Sequence, residues 1–87
     1  MSTISEPTFA QLAFIIEDKL GIPSDHVVPG TTLSEIEVDS LALIEVALIA
    51  EEQFGAEIPT DKVSSSDTVQ DLYELIVAAV RESRQDA

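Results

Sequence analysis

Apolar residues recur at three- and four-residue steps in three separate stretches of the chain, the spacing that buries one face of an α-helix. The first stretch comprises Phe9, Leu12, Ala13, Ile16 and Leu20. Ser5 can cap this helix and Pro7 suits its first turn, while Gly21 followed by Pro23 can end it. We therefore predict a first helix over about residues 7–20.

The second stretch predicts a helix that begins at Asp39 or Ser40, reaches Phe54 and stops at Gly55. Asp39 suits the N-cap because its carboxylate can accept a backbone N–H at the positive end of the helix. The apolar residues of this helix form two stripes. One stripe consists of Leu43, Val46, Ala47, Ala50 and Phe54. The other consists of Leu41, Ile44 and Leu48, beside Glu45, Glu51 and Glu52.

A chain of 87 residues can hardly bury both stripes. Either the second helix is central to the fold, or one stripe is left for partners. We favour docking over plain core for Leu41, Ile44 and Leu48, because carboxylates border them. Such a strip would suit a partner groove lined by apolar and basic residues.

The third stretch predicts the final helix, with Thr68 and Asp71 as a capping box in which Asp replaces the usual Glu or Gln. Its apolar positions are Val69, Leu72, Tyr73, Ile76, Val77 and Val80. Arg81 and Arg84 lie near its C-terminal end, where a cation is favourable. A further short helical piece is expected to begin at Thr60 as its cap.

Residues 21–38 form a long connection, and such loops in compact domains are often functional. We expect its apolar residues to pin it over the core: Ile22, Val27, Val28, Leu33, Ile36 and Val38. Strand signals are poor. The prediction is a single all-α domain over residues 1–87, a small four-helix bundle with three main helices and one short helix. Its core spans about 7–81, with frayed ends at 1–5 and 83–87.

Charge is the strongest compositional feature, since 17 Asp and Glu face four Lys and Arg, giving a formal net charge of −13. No Lys or Arg occurs between Leu20 and Asp61. Such a surface disfavours nucleic acids and anionic membranes and attracts basic protein patches. The plainer alternative is an ordinary acidic soluble protein, but the cation-free central block favours a docking surface.

The chain contains no cysteine, which excludes disulfides, thiolate metal sites and thiol nucleophiles. The N-terminal residues lack the basic and apolar regions of a signal peptide, and no apolar run is long enough to span a membrane. We therefore expect a cytoplasmic protein, most simply a monomer.

Ser40 is the candidate for chemistry, at the predicted start of the second helix. A serine nucleophile needs a base, and the only histidine is His26. No G-x-S-x-G turn surrounds Ser40, so catalysis is disfavoured and His26 is expected to be solvated or to bond a helix. A helix start suits a phosphate ester, although Ser40 on local sequence alone is at least as typical of a plain cap.

A metal site is not expected. The chain has no calcium-loop motif, and Glu51, Glu52 or Asp61 could at most bind Ca²⁺ loosely.

Two longer segments, Val38–Glu45 and Ala50–Pro59, together resemble the acyl carrier protein family. The Asp39-Ser40-Leu41 tripeptide alone is weak evidence for the family. The resemblance becomes specific with the E-x-F-G-x-x-I-P pattern, the length of the chain and its acidity. It covers roughly residues 8–80, from before the Leu20-Gly21-Ile22 segment to beyond Leu72.

The resemblance implies a carrier without catalytic activity of its own. Ser40 would receive 4′-phosphopantetheine from coenzyme A through a separate Mg²⁺-dependent transferase, which would supply the missing base. The arm's terminal thiol would hold acyl groups as thioesters for ketosynthases, acyltransferases and other enzymes with basic docking patches. The family's docking positions correspond to Leu41, Ile44, Glu45 and Leu48, to which we add Glu51 and Glu52. An acyl chain would be sheltered among Val46, Ala50 and Ile76.

Two positions depart from the family pattern. Glu37 stands where the family often has Gly two residues before the Asp; because glycine allows positive φ at little cost, we expect this turn to be built differently. Ala42 and Leu43 resemble polyketide carriers, whereas the loop and the final helix resemble fatty-acid carriers. We favour a specialised pathway, with the fatty-acid pathway as the alternative.

The start at Met1 predicts a free-standing carrier. Two alternatives remain: a peptidyl or D-alanyl carrier with the same arm, and a non-carrier acidic helical interaction module.

Overall fold

Three α-helices and three single 3₁₀ turns make up the regular structure of the computed structural model, which describes residues 7–85. The helices are α1 (Phe9–Leu20), α2 (Ser40–Phe54) and α3 (Val69–Gln85). The turns are Ser24–His26, Ser34–Ile36 and Thr60–Lys62. Within this part of the chain no strand forms, and only an isolated antiparallel bridge joins Thr32 to Thr68. The all-α prediction is confirmed.

The predicted fourth helix is a single 3₁₀ turn. Thr60 is the first residue of this turn and not its cap, because Pro59 precedes it without a side-chain hydrogen bond to the turn. Another 3₁₀ turn, Ser34–Ile36, lies within the long connection between α1 and α2.

The first helix begins two residues later than predicted. Its N-cap is Thr8, whose hydroxyl accepts the N–H of Gln11 while the Gln11 side chain accepts the N–H of Thr8. Ser5, the predicted cap, lies outside the described residues. At the other end of the chain, α3 extends through Gln85, beyond the expected core boundary. The expected fraying of residues 1–5, 86 and 87 lies outside the described residues.

The other helix ends follow the sequence pattern. The Thr68 hydroxyl accepts the N–H of Asp71, and the Asp71 carboxylate accepts the N–H of Thr68, so the predicted capping box forms. Gly21 and Gly55 end α1 and α2 with φ of 74° and 70°, the left-handed conformation that glycine adopts at least cost.

The core is apolar throughout, and none of the described residues places a charged or polar side chain in it. It is built from one face of each helix and from residues of the connections. The buried residues of the three helices are Leu12, Ala13, Ile15, Ile16, Leu43, Val46, Ala47, Ala50, Val69, Leu72, Ile76 and Val80. Hydrophobic burial of this contiguous set is the main force that holds the helices together.

The long connection between α1 and α2 is pinned to the core as predicted, with one exception. Val27, Leu33 and Val38 are buried. Val28 is 44% exposed, so its predicted burial is wrong. Of the two residues that follow the turn Ser24–His26, only Val27 places its side chain in the core.

The two connections are also joined to each other by backbone hydrogen bonds, which hold residues 29–34 against residues 65–70. Four N–H···O bonds of 2.8–3.1 Å form this clasp: Leu33 to Asp67, Ser34 to Ser65, Val69 to Thr31, and Gln70 to Pro29. The clasp anchors the segment that leads into α2, because Val38 in turn donates its N–H to the carbonyl of Leu33 at 2.9 Å.

Candidate functional site

Ser40 is the exposed first residue of α2. The residue before it, Asp39, has extended backbone angles and accepts the N–H of Ala42 through Oδ1 at 2.9 Å. Asp39 is therefore the helix cap, and the alternative that Ser40 serves as the cap is wrong. Within residues 7–85 the Ser40 hydroxyl has no hydrogen-bond partner. The geometry leaves a primary hydroxyl facing solvent at the end of a helix.

This helix start fits a phosphate ester. The first N–H groups of a helix have no partner within the helix, and the carboxylate of Asp39 occupies only that of Ala42. The N–H groups of Ser40 and Leu41 remain for water or an anion, and the helix dipole favours negative charge there. The neighbouring Asp39 carboxylate opposes part of this attraction. The exposed hydroxyl and free N–H groups suit the phosphate of a 4′-phosphopantetheine arm.

His26 ends the turn Ser24–His26, and its side chain is exposed. It donates its backbone N–H to Pro23, but among the described residues its imidazole bonds neither Ser40 nor a helix. Of the two predictions for His26, the solvated loop residue is the one that the structure supports.

The two stripes of α2 separate as the sequence predicted. Leu43, Val46, Ala47 and Ala50 are buried, whereas Leu41 is 65%, Ile44 46% and Leu48 56% exposed. These last three positions lie on one side of the helix, starting directly after Ser40. We call them the α2 stripe. The α2 stripe is therefore an exposed apolar strip of three large residues on one helix.

The three carboxylates predicted to border this stripe are not equivalent. Glu52 is exposed, and Glu45 is half-buried. Glu51 is also half-buried, and its Oε2 accepts the N–H of Ile58 at 2.9 Å. That bond closes the loop after α2, so Glu51 has a structural role that sequence reasoning missed. No local signal could have revealed it, because the two residues are seven positions apart.

Glu37 adopts φ 63° and ψ 31°, the left-handed conformation, at the end of the turn Ser34–Ile36. It is the one non-glycine residue with positive φ in the described part of the chain. The prediction that this turn is built differently from one with glycine is wrong: the backbone takes the conformation that glycine favours. A side chain raises the free energy of this conformation by about 1–2 kcal/mol. The fold therefore tolerates strain three residues before Ser40.

The residues predicted to shelter an acyl chain, Val46, Ala50 and Ile76, are all buried in the core. They contribute to one apolar cluster but do not line the cleft that opens at the surface beside α3. That cleft, about 860 Å³, lies between the end of α2, the turn Thr60–Lys62 and α3, with Ile58, Leu75 and Ala79 among its apolar lining.

Across the described residues, no group of three or more His, Cys, Asp or Glu side chains is placed to hold a metal ion. Over the same part of the chain, no helix has the length and apolar character needed to cross a membrane.

The family model described as a phosphopantetheine attachment site matches residues 10–76. The acyl carrier protein of Acidothermus cellulolyticus is 39% identical over 80 residues, which cover 91% of this chain and 95% of the relative. That of Thermobifida fusca is 38% identical, covering 75% of this chain and 84% of the relative. The meromycolate extension acyl carrier protein of Mycolicibacterium smegmatis is 31% identical, covering 100% of this chain and 89% of the relative.

A small helical domain with an exposed serine at a helix start, matched over most of its length by carrier sequences, is a carrier domain and not a catalytic one. The chain belongs to the acyl carrier protein family. Its function is to carry acyl groups, and its cofactor is 4′-phosphopantetheine. Membership of the family implies interaction with a phosphopantetheinyl transferase and with acyl-processing enzymes.

Proposed function

We propose that Ser40 is the residue to which 4′-phosphopantetheine is attached. The observation that carries the proposal is the free, exposed hydroxyl at the start of α2, where Asp39 already fills the capping position. When bound, the arm supplies a terminal thiol that holds an acyl group as a thioester. The transferase supplies the base for the serine, which explains why the carrier needs none.

The attachment residue is tested by intact-mass spectrometry after incubation with coenzyme A and a broad-specificity phosphopantetheinyl transferase. The wild-type chain is expected to gain the mass of one phosphopantetheine group, and Ser40→Ala is expected to gain nothing. Ser24→Ala is the matched control, because Ser24 is another exposed serine and begins the turn Ser24–His26. A mass gain in Ser40→Ala would place the arm elsewhere, and no gain in wild type would favour a non-carrier interaction module.

We further propose that partner enzymes dock on the α2 stripe. The stripe begins beside Ser40, so an enzyme that covers it also reaches the base of the arm. Glu45 and Glu52 can pair with basic residues of the partner, while Glu51 has only part of its carboxylate available. An exposed stripe that serves partners must stay open, which supports a monomer, and we propose that it works in the cytoplasm.

We propose that the cargo is an acyl intermediate of fatty-acid or polyketide biosynthesis. The acyl chain would lie among Val46, Ala50 and Ile76, which are close-packed apolar residues of the core. An acyl chain would have to part the helices there, and its apolar surface would replace some of the contacts it disrupts.

A further inference from the structure

A small notch lies beside the segment that leads into α2. It has a volume of about 240 Å³ and is formed where the end of α1 meets the turn Ser34–Ile36. Its lining combines an apolar part with polar side chains: Ile22, Pro23, Ile36, His26, Glu35 and Glu37. The site and the function described above make no use of this notch.

Glu37 differs from the neighbouring carboxylates in having no partner. The carboxylates of Glu35 and Asp39 each accept a backbone N–H, of Thr32 and Ala42 respectively, at 3.0 and 2.9 Å. Within residues 7–85, no donor bonds the carboxylate of Glu37, and the side chain is exposed. Its backbone nevertheless keeps a conformation that disfavours any side chain. Within the described residues, the Glu37 side chain therefore makes no hydrogen bond that offsets this cost.

The notch has the chemistry that suits one long basic side chain. Lysine and arginine lay their methylene stems along apolar surface and keep the charged group at a polar edge. Ile22 and Ile36 are half-buried and offer the apolar surface, while the free carboxylate of Glu37 offers the charge. Glu35 adds a second negative charge, although Oε1 is already occupied by the N–H of Thr32.

The position of the notch indicates which molecule would supply that side chain. Glu37 lies three residues before Ser40, a length of chain that spans at most about 11 Å. An enzyme that brings coenzyme A to the Ser40 hydroxyl must cover this region. Two basic residues of this chain lie at or near the notch, His26 in its lining and Lys19 in the last turn of α1, and within residues 7–85 the side chain of neither bonds Glu37.

We propose that the notch receives a lysine or arginine side chain of the transferase that modifies Ser40, and that Glu37 determines this contact. The inference rests on the proposed function, because it takes Ser40 as the modified residue. Glu37 is a specificity residue: it touches the enzyme and leaves the serine hydroxyl unaltered.

The test measures the rate of modification with coenzyme A and a bacterial holo-carrier transferase, at several carrier concentrations. Glu37→Gln keeps the shape and removes the charge, and it is expected to lower kcat/KM about tenfold through KM, with kcat retained. Glu37→Lys is expected to lower it further, because like charges repel. Glu57→Gln and Glu57→Lys are the matched controls, since Glu57 is exposed beyond the far end of α2. They are expected to stay within about twofold of wild type.

The Glu37→Gly variant distinguishes a loss of stability from a loss of recognition by the transferase. Glycine takes positive φ at least cost, so this variant is expected to melt no lower than wild type while reacting as slowly as Glu37→Gln. Wild-type kcat/KM in Glu37→Gln or Glu37→Gly would overturn the inference, as would an equal loss in Glu57→Gln. Failure of the wild-type chain to be modified at all would instead contradict the proposed function.

Discussion

Several acidic side chains of this protein accept hydrogen bonds from its own backbone N–H groups. Asp39 caps α2, Asp71 completes the capping box of α3, and the Asp67 carboxylate accepts the N–H of Ser64 at 3.0 Å. Glu51 does the same over a longer separation, where its Oε2 meets the part-buried N–H of Ile58. Part of the negative charge is thus tied to loop and helix ends, and the carboxylates on α2 cannot all be treated as free docking groups.

Replacing Glu51 by alanine is expected to lower the free energy of unfolding by about 1–3 kcal/mol, because the part-buried N–H of Ile58 loses its acceptor. Glu52→Ala, with an exposed side chain, is the control and is expected to change stability by less than about 0.5 kcal/mol. Urea denaturation followed by circular dichroism measures both. Equal stability of the two variants would show that the bond from Ile58 to Glu51 contributes nothing.

Residue patterns predicted the caps whose partners lie three or four positions away. Asp39, Gly55 and the Thr68–Asp71 pair were found because capping chemistry is local. The cap at Thr8 was missed although Gln11 stands three residues after it, since Pro7 offered an equally suitable start. The positive φ of Glu37 could not be predicted, because surrounding contacts and not the residue type hold that conformation.

The α2 helix has two apolar faces, one that packs in the core and one that is proposed to contact partner enzymes. One face completes the core through Leu43, Val46, Ala47 and Ala50. The opposite stripe is exposed at three positions. The sequence could predict this division because helical spacing assigns each residue to a face, and three main helices provide too little cover for both faces. Helical spacing could not decide which stripe is buried; the packing of α1 and α3 does.

Leu48→Ala is expected to slow transfer to a partner enzyme severalfold while lowering the free energy of unfolding by less than about 1 kcal/mol, because the side chain is mostly exposed. Stability is measured by thermal melting, and transfer by the rate at which the transferase or a ketosynthase acts on the carrier.

Two further variants serve as controls for Leu48→Ala. Phe14→Ala removes a side chain that is 64% exposed on α1, and it is expected to leave partner rates unchanged. Leu43→Ala, on the buried face, is expected to cost about 2–5 kcal/mol. If Leu48→Ala proved as destabilising as Leu43→Ala and retained normal partner rates, the stripe would be core and not a docking surface.

At the scale of the whole molecule, a net charge of −13 on 87 residues acts against the compact state. Salt shortens the reach of this repulsion, from a Debye length of about 14 Å at 50 mM to about 4 Å at 500 mM. Raising sodium chloride over this range is expected to raise the melting temperature by several degrees, equivalent to about 1 kcal/mol. Choline chloride at equal ionic strength should act alike, because screening does not depend on the cation. A melting temperature independent of ionic strength would contradict this prediction.

The fold class and the order of the helices could be predicted from the chain, since periodic apolar stretches and their stops are local features. The clasp between residues 29–34 and 65–70 could not, because its bonds join backbone groups that carry no mark in the sequence. The same holds for the notch beside Glu37, which forms only when the end of α1 meets a later turn. Ser40 was predicted from the resemblance carried by Val38–Glu45 and Ala50–Pro59, and the structure adds that its hydroxyl is exposed and has no hydrogen-bond partner within residues 7–85.

Attachment of the arm to Ser40 is tested by locating the modification within the modified chain. Trypsin is expected to release residues 20–62 as one peptide, because no Lys or Arg lies between Lys19 and Lys62. This peptide contains three serines, Ser24, Ser34 and Ser40, so fragmentation that retains the phosphodiester distinguishes them. The added mass is expected only in fragments that contain Ser40. Fragments that carry the arm on Ser24 or Ser34, or a modified peptide from another part of the chain, would contradict it.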